Sequence, residues 1–174
     1  MYLADTDITK AIKDGDITIT PFVAKRLQPA SYDIRLGNKF LIAESHKYAA
    51  IDPMKKKFPE TREVVLKDNE TFVLHPGMVV LGFSHEKFGS RKYLTQLHGK
   101  SSLARIGLLV HATADIINPG HYLHVVFELF NNNNIPIILR PNMEIGQLTF
   151  ATLSTEPRKD YSGRYTGDNW AGGK

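Results

Sequence analysis

The chain has 174 residues, no cysteine and a formal net charge of +4, which suits one domain with a real core. Without thiols there is no disulfide framework, no thiolate metal site and no cysteine nucleophile. No stretch approaches the roughly 18 consecutive apolar residues of a membrane span, and the polar start MYLADTDITKAIKDGD lacks the apolar core of a secretory signal, so a cytoplasmic protein is expected.

Thr6 or Asp5 can cap a short helix through Ile8, Ala11 and Ile12, with Gly15 as its stop. Asp16 to Thr20 alternates as a strand that Pro21 ends. In Leu27 to Ala43, Tyr32, Ile34 and Leu36 alternate with polar residues, and Gly37-Asn38 predicts a hairpin turn. Residues 44 to 61 are polar, broken by Pro53 and Pro59, and predict a loop. Its Lys55, Lys56 and Lys57 suit a solvated surface, and a small anionic ligand explains the basic excess as well as a nucleic acid would.

Glu63 to Leu66 and Thr71 to Leu74 predict strands around a Lys67-Asp68-Asn69 turn. His75 to Met78 is a tight turn before a short strand, Val79 to Phe83. Glu86 to Leu97 is ambiguous, with a turn at Gly89-Ser90. Ser101 to Ile106 suits a short helix, Leu108 to Val110 a buried strand, and Asn131 to Asn134 a turn. Ile135 to Leu139 and Ile145 to Leu153 are the last strands, separated by a Pro141-Asn142 turn. Many short strands with closely spaced turns predict an all-β barrel or sandwich. The tail after Glu156 is rich in glycine, charge and aromatics without periodicity, and suits a flap that orders on a ligand.

Two places carry chemistry. Lys100, Ser101, Ser102 and Arg105 gather a point charge, two hydroxyls and a bidentate fork, and the amides of the helix start add donors for phosphate. The same residues would also serve as a capped helix with solvated charges. The spacing is not that of a P-loop. Glu128 stands alone among the apolar residues of Val125 to Phe130 and shares a face with Val126 and Phe130. The plain alternative is a strand glutamate facing solvent. His111 in its apolar context is more often structural than catalytic. His121 and His124 flank no third ligand, so no zinc is expected, and the H-x-E and P-C-x-x-C elements of the zinc deaminases are missing.

With ASYDIRLGNKF (30–40), LHPGM (74–78), GKSSLARIGLLVHAT (99–113), NPG (118–120), FELFN (127–131) and RPNMEIGQLTF (140–150) in this order, nearly the whole chain resembles the dCTP deaminases of the dUTPase-related superfamily. The resemblance implies a distorted β-barrel or jelly-roll of the dUTPase-like (β-clip) type with one or two short helices. It implies a homotrimer with active sites between subunits, a single domain over residues 1–156, and a tail over 157–174 that closes on the site. Glu128 matches the catalytic glutamate, and Lys100, Ser101, Ser102 and Arg105 match the nucleotide-binding motif. Ala114 matches the position whose carbonyl helps hold the attacking water, and His111 a histidine beside the site. The backbone of Val126 and Phe127 would read the pyrimidine edge. Tyr161, Arg164 and Tyr165 match the closing tail, Mg²⁺ would accompany the triphosphate, and dTTP is a plausible inhibitor.

Two departures bear on the product. The family's aspartate before Pro-Gly is Asn118 here, and an amide cannot act as a base, though it can bind a 3′-hydroxyl. The tail's usual glutamine is Asp168 if Arg164 is its basic residue, and Asp115 adds a negative charge near the base pocket. The expected reaction is therefore dCTP to dUTP and ammonia. The alternatives are a bifunctional deaminase and diphosphatase, or a dUTPase, giving dUMP, and then a non-catalytic nucleotide-binding regulator.

Overall fold

The computed structural model describes residues 1–55 and 58–163, and nearly every apolar run among them is a strand. In chain order the elements are α1 (Asp5–Lys13), β1 (Ile17–Thr20), β2 (Leu27–Gln28), β3 (Ser31–Ala43), β4 (Thr61–Val65), β5 (Phe72–Leu74) and β6 (Val79–Ser90). Then follow β7 (Leu94–Gly99), α2 (Ser101–Ala104), β8 (Leu108–Leu109), β9 (Ile116–Ile117), β10 (His121–Asn131), β11 (Ile137–Leu139) and β12 (Glu144–Ala151). The main sheet runs β8-β10-β6-β3-β12-β7-β9, and β5 pairs with β11 in a small second sheet. Every pairing among the described residues is antiparallel, and the mainly-β expectation is met.

The expected hairpin at Gly37-Asn38 does not exist. β3 continues through both residues, and its two halves pair with different partners: the first with β12, the second with β4 and β6. The register against β6 shifts between Leu36 and Phe40, so the strand bends here rather than turning. Gly37 permits this, because a Cβ there would stand 2.9 Å from the Phe83 carbonyl oxygen. A glycine next to an asparagine thus marks a close crossing of two strands.

β6 likewise runs through the expected turn at Gly89-Ser90, because Ser90 and Gly89 pair with both β1 and β10. The turn lies one step later, where Ser90 Oγ accepts the Tyr93 N–H and donates to the Tyr93 carbonyl, both at 2.9 Å. The strands either side of Lys67-Asp68-Asn69 form as expected but pair elsewhere, β4 with β3 and β5 with β11. Asn69 supplies the left-handed turn residue, φ 70°. The N-cap of α1 is Ala4 rather than Thr6 or Asp5, and Asp7 takes its N–H at 3.4 Å. Among its described residues, the loop of residues 44–61 holds two single 3₁₀ turns, Ser45–Lys47 and Pro53–Lys55.

One apolar core sits inside the curled sheet. Tyr32, Ile34, Leu36 and Phe40 of β3 meet Phe127 and Leu129 of β10 and Leu148 and Phe150 of β12, all of them sealed from solvent. Each such side chain contributes roughly 1.5–3 kcal/mol of burial energy. Beside it lies a buried ion pair. Both the N–H and the guanidinium of Arg35 donate to the fully buried Glu86, at 2.8 and 2.6 Å. The core anchors β10 and β7, the strands that present the two chemical sets.

Candidate functional site

β7 is held against β12 up to Gly99, and Lys100 leaves it in extended conformation as the N-cap of α2. Its Nζ lies 2.7 Å from Asp33 Oδ2 and 2.8 Å from Glu144 Oε2. Burial disfavours the charged ammonium, but the hydrogen bonds to the two carboxylates outweigh it and hold the lysine pKa above its ordinary value. The hydrogen bond from Lys100 in turn holds Glu144 below the usual carboxylate range. Ser101 and Ser102 open α2 with their side chains exposed, and Arg105 ends it, also exposed. A cleft of about 530 Å³ is lined by Lys100, Ser101, Ser102, Asp33 and Glu144 together with Gln28 and Gln147. Its lining is polar, with two hydroxyls and two amides around one lysine that two carboxylates already engage.

The second set lies on β10. Val125, Phe127 and Leu129 point into the core, while Val126, Glu128 and Phe130 share the other, half-buried face, as alternation predicts. Glu128 Oε2 accepts the Ala112 N–H at 2.8 Å, and the Glu128 N–H donates to Val110 at 3.0 Å. The carboxylate is therefore fixed by the segment 110–112 on its open side. The main-chain groups of Val126, two residues back, leave β10 on that same side, whereas those of Phe127 face β6. Glu128, Val126, Ala114, Asn118, His121, His124 and Tyr161 line one cavity of about 440 Å³, with apolar walls from Leu81, Leu97, Ile116, Ile117 and Leu123. A single carboxylate in such a pocket is suited to proton transfer on a bound ring.

His111 is half-buried next to Ala112, and its Nδ1 has no hydrogen-bond partner among the described residues. Asp115 turns away toward β7: Leu97 N–H donates to its carbonyl at 2.8 Å and Gln96 Nε2 to its carboxylate at 3.1 Å. Tyr2 hydroxyl donates to Gln96 Oε1 at 2.7 Å. Tyr2 and Gln96 thus pin the loop that carries Ala114. No motif marks them, because their role depends on a contact across 94 residues.

The tail meets the same cavity. Tyr161 N–H donates to the Pro119 carbonyl at 3.2 Å, and its ring lies 4.1 Å from that of His121. Gly120, at φ 97°, is needed there, since a Cβ would stand 2.8 Å from Asp160 Cβ. Burial holds the His121 pKa below the ordinary histidine value. Arg164, Tyr165 and Asp168 lie outside the described residues. Among those described, no three His, Asp or Glu side chains converge on a point that could hold a metal.

Within one chain the two sets line separate cavities: Lys100, Ser101 and Ser102 in one, Glu128, Ala114, Asn118 and Val126 in the other.

The chain belongs to the dCTP deaminase-like family, whose profile matches residues 2–153. Among its relatives, a protein of Beutenbergia cavernae named dCTP deaminase, dUMP-forming, is 43% identical over 173 residues, spanning 99% of this chain and 90% of its own. A Tropheryma whipplei protein of the same name is 45% identical over 162 residues, 92% of this chain and 83% of its own. The solved 2′-deoxycytidine 5′-triphosphate deaminase of Agrobacterium tumefaciens shares the fold, with a TM-score of 0.63 at 24% identity over 86% of this chain. This chain spans about half of that one, 47%.

Proposed function

We propose that this protein is an enzyme that deaminates dCTP and carries the product on to dUMP. The observation that carries the reading is the Glu128 carboxylate, held by the Ala112 N–H at 2.8 Å in an otherwise largely apolar cavity. Water adds to C4 of the cytosine while Glu128 takes its proton. The same carboxyl delivers that proton to N3, then moves the second water proton to the amino group, which leaves as ammonia and leaves a carbonyl at C4. The Ala114 carbonyl would help hold the water, and the open main-chain edge of Val126 would read the pyrimidine. A positioned acid–base group of this kind supplies roughly 10²–10⁴-fold.

The dUMP end point is supported by relatives at 40–45% identity that are named dUMP-forming. It departs from the dUTP product that Asn118 suggests from sequence. An amide at 118 cannot abstract a proton, so the hydrolytic water would need another base. Ammonia release that stops at dUTP is the second reading, favoured by Asn118 alone. Mg²⁺ would be carried by the triphosphate oxygens, with Lys100, Ser101, Ser102 and Arg105 binding the same phosphates. Because one chain holds the two sets in separate cavities, we infer a homotrimer whose sites combine the 100–105 segment of one subunit with Glu128 of the next.

The test is incubation of the purified protein with dCTP and Mg²⁺, following ammonia and pyrophosphate together. Both products are expected. Ammonia alone would restore the dUTP reading, and neither would leave a binding protein. Glu128→Gln should lose ammonia release by at least about 10²-fold while still binding nucleotide.

A further inference from the structure

The ammonium of Lys100 is already engaged by two carboxylates, and they differ in kind. Asp33 is 4% exposed and also takes a hydrogen bond from Gln28 Nε2 at 3.2 Å, so it is a fixed partner of the lysine. Glu144 has a side chain 40% exposed and stands where the register of β12 against β3 shifts. Its other oxygen, Oε1, lies 3.6 Å from Arg26 Nε. Arg26 is nearly buried, 12% exposed, and its Nε has no hydrogen-bond partner among the described residues. Glu144 thus has a second cation within reach whose donor is unfilled.

Resting on the reading that Lys100 to Ser102 bind the triphosphate, we propose that Glu144 is a built-in competitor for Lys100. It occupies the lysine when the cleft holds no anion and moves onto Arg26 when phosphate arrives. The electrostatics favour such a shift. Lys100, Arg26, Asp33 and Glu144 sum to zero in either arrangement, but with Glu144 on Lys100 a second carboxylate charge lies beside the lysine in the cleft and opposes an incoming triphosphate. With Glu144 on Arg26, both resulting pairs are neutral and the lysine is free to donate to phosphate. A buried arginine left with an unfilled donor is a costly state, so the exchange gains a hydrogen bond at Arg26 as it gives one up at Lys100. Glu144 would then set how tightly the cleft holds phosphate.

The experiment is calorimetric binding of inorganic tripolyphosphate to the full chain and its variants. Glu144→Gln should bind about tenfold tighter, because the competing charge is gone. Arg26→Gln should bind severalfold more weakly, because Glu144 loses its alternative partner, and it should have no effect when Glu144→Gln is already present. Equal or weaker binding by Glu144→Gln would overturn the proposal. So would an Arg26→Gln effect that persists in the double variant, which would make Arg26 a direct phosphate ligand. Deamination of dCTP is assayed separately. Tripolyphosphate results as expected without ammonia release would sink the deaminase reading and leave the competitor intact.

Discussion

Asn118 and Glu128 share one cavity, and their different chemistry divides the proposed reaction. Glu128 can carry protons and Asn118 cannot, so exchanging them probes separate steps. We expect Asn118→Asp to raise pyrophosphate release relative to ammonia release, measured as the ratio of the two products from dCTP; an unchanged ratio would mean that residue 118 takes no part in hydrolysis. His121 offers a pH test. Burial lowers its folded pKa below the ordinary 6.5. Below that unfolded value the unfolded chain takes up a proton that the folded histidine resists, so stability falls as the solution is acidified through this range and is unaffected above it. Since the Tyr161 ring covers His121, Tyr161→Ala should move the histidine pKa upward in an NMR titration. A pKa that stays put would show that the rest of the pocket does the burying. The Arg35–Glu86 pair is a third residue-scale case: Glu86→Ala leaves a largely buried guanidinium without its carboxylate and should cost about 3–5 kcal/mol in denaturant unfolding.

At the scale of elements, β3 is the strand on which the sheet turns. Its first half lies beside β12 and the phosphate-type cleft, its second beside β4 and β6, and Gly37 lies between. A methyl at Gly37 meets the backbone oxygen of Phe83, which cannot swing aside as a side chain could. Gly37→Ala should therefore destabilise by about 1–3 kcal/mol in chemical unfolding. A cost near zero would show that the two strands can separate without loss. β10 is the other organising element. Its core face carries Val125, Phe127 and Leu129, and packing them turns Glu128 and Val126 to the open side. The position of the catalytic candidate is thus a consequence of where the apolar residues must go.

For the whole molecule, the two chemical sets of one chain lie in separate cavities. If the working site is composite, a variant that lacks Glu128 and a variant that lacks Lys100 are each inactive, but mixing them rescues some sites. Random assortment in a trimer leaves about a quarter of the sites with both partners intact. We expect Glu128→Gln and Lys100→Met, unfolded together and refolded as mixed oligomers, to regain about that fraction of ammonia release. Mixed oligomers no more active than their parents would place the site within one chain.

Local pattern was enough for much of this protein. The strand class, the helix at Ile8 to Ile12, the exposed turn residues and the facing of Glu128 all follow from alternation, propensity and polar spacing, because those forces act within a few residues. The motifs from Gly99 to Thr113 and from Phe127 to Asn131 also carried the family. Tertiary structure alone decided that Gly37-Asn38 is a crossing and not a turn, since a glycine that avoids a distant carbonyl has the same sequence signature as one that allows a reversal. It alone joined Tyr2 and Gln96 to the Ala114 loop, set Asp115 away from the pocket, and placed Lys100 between Asp33 and Glu144 with Arg26 in reach. These are pairings between residues far apart along the chain, and which partners meet is determined by how the sheet curls to bury its apolar face, a property of all the strands together.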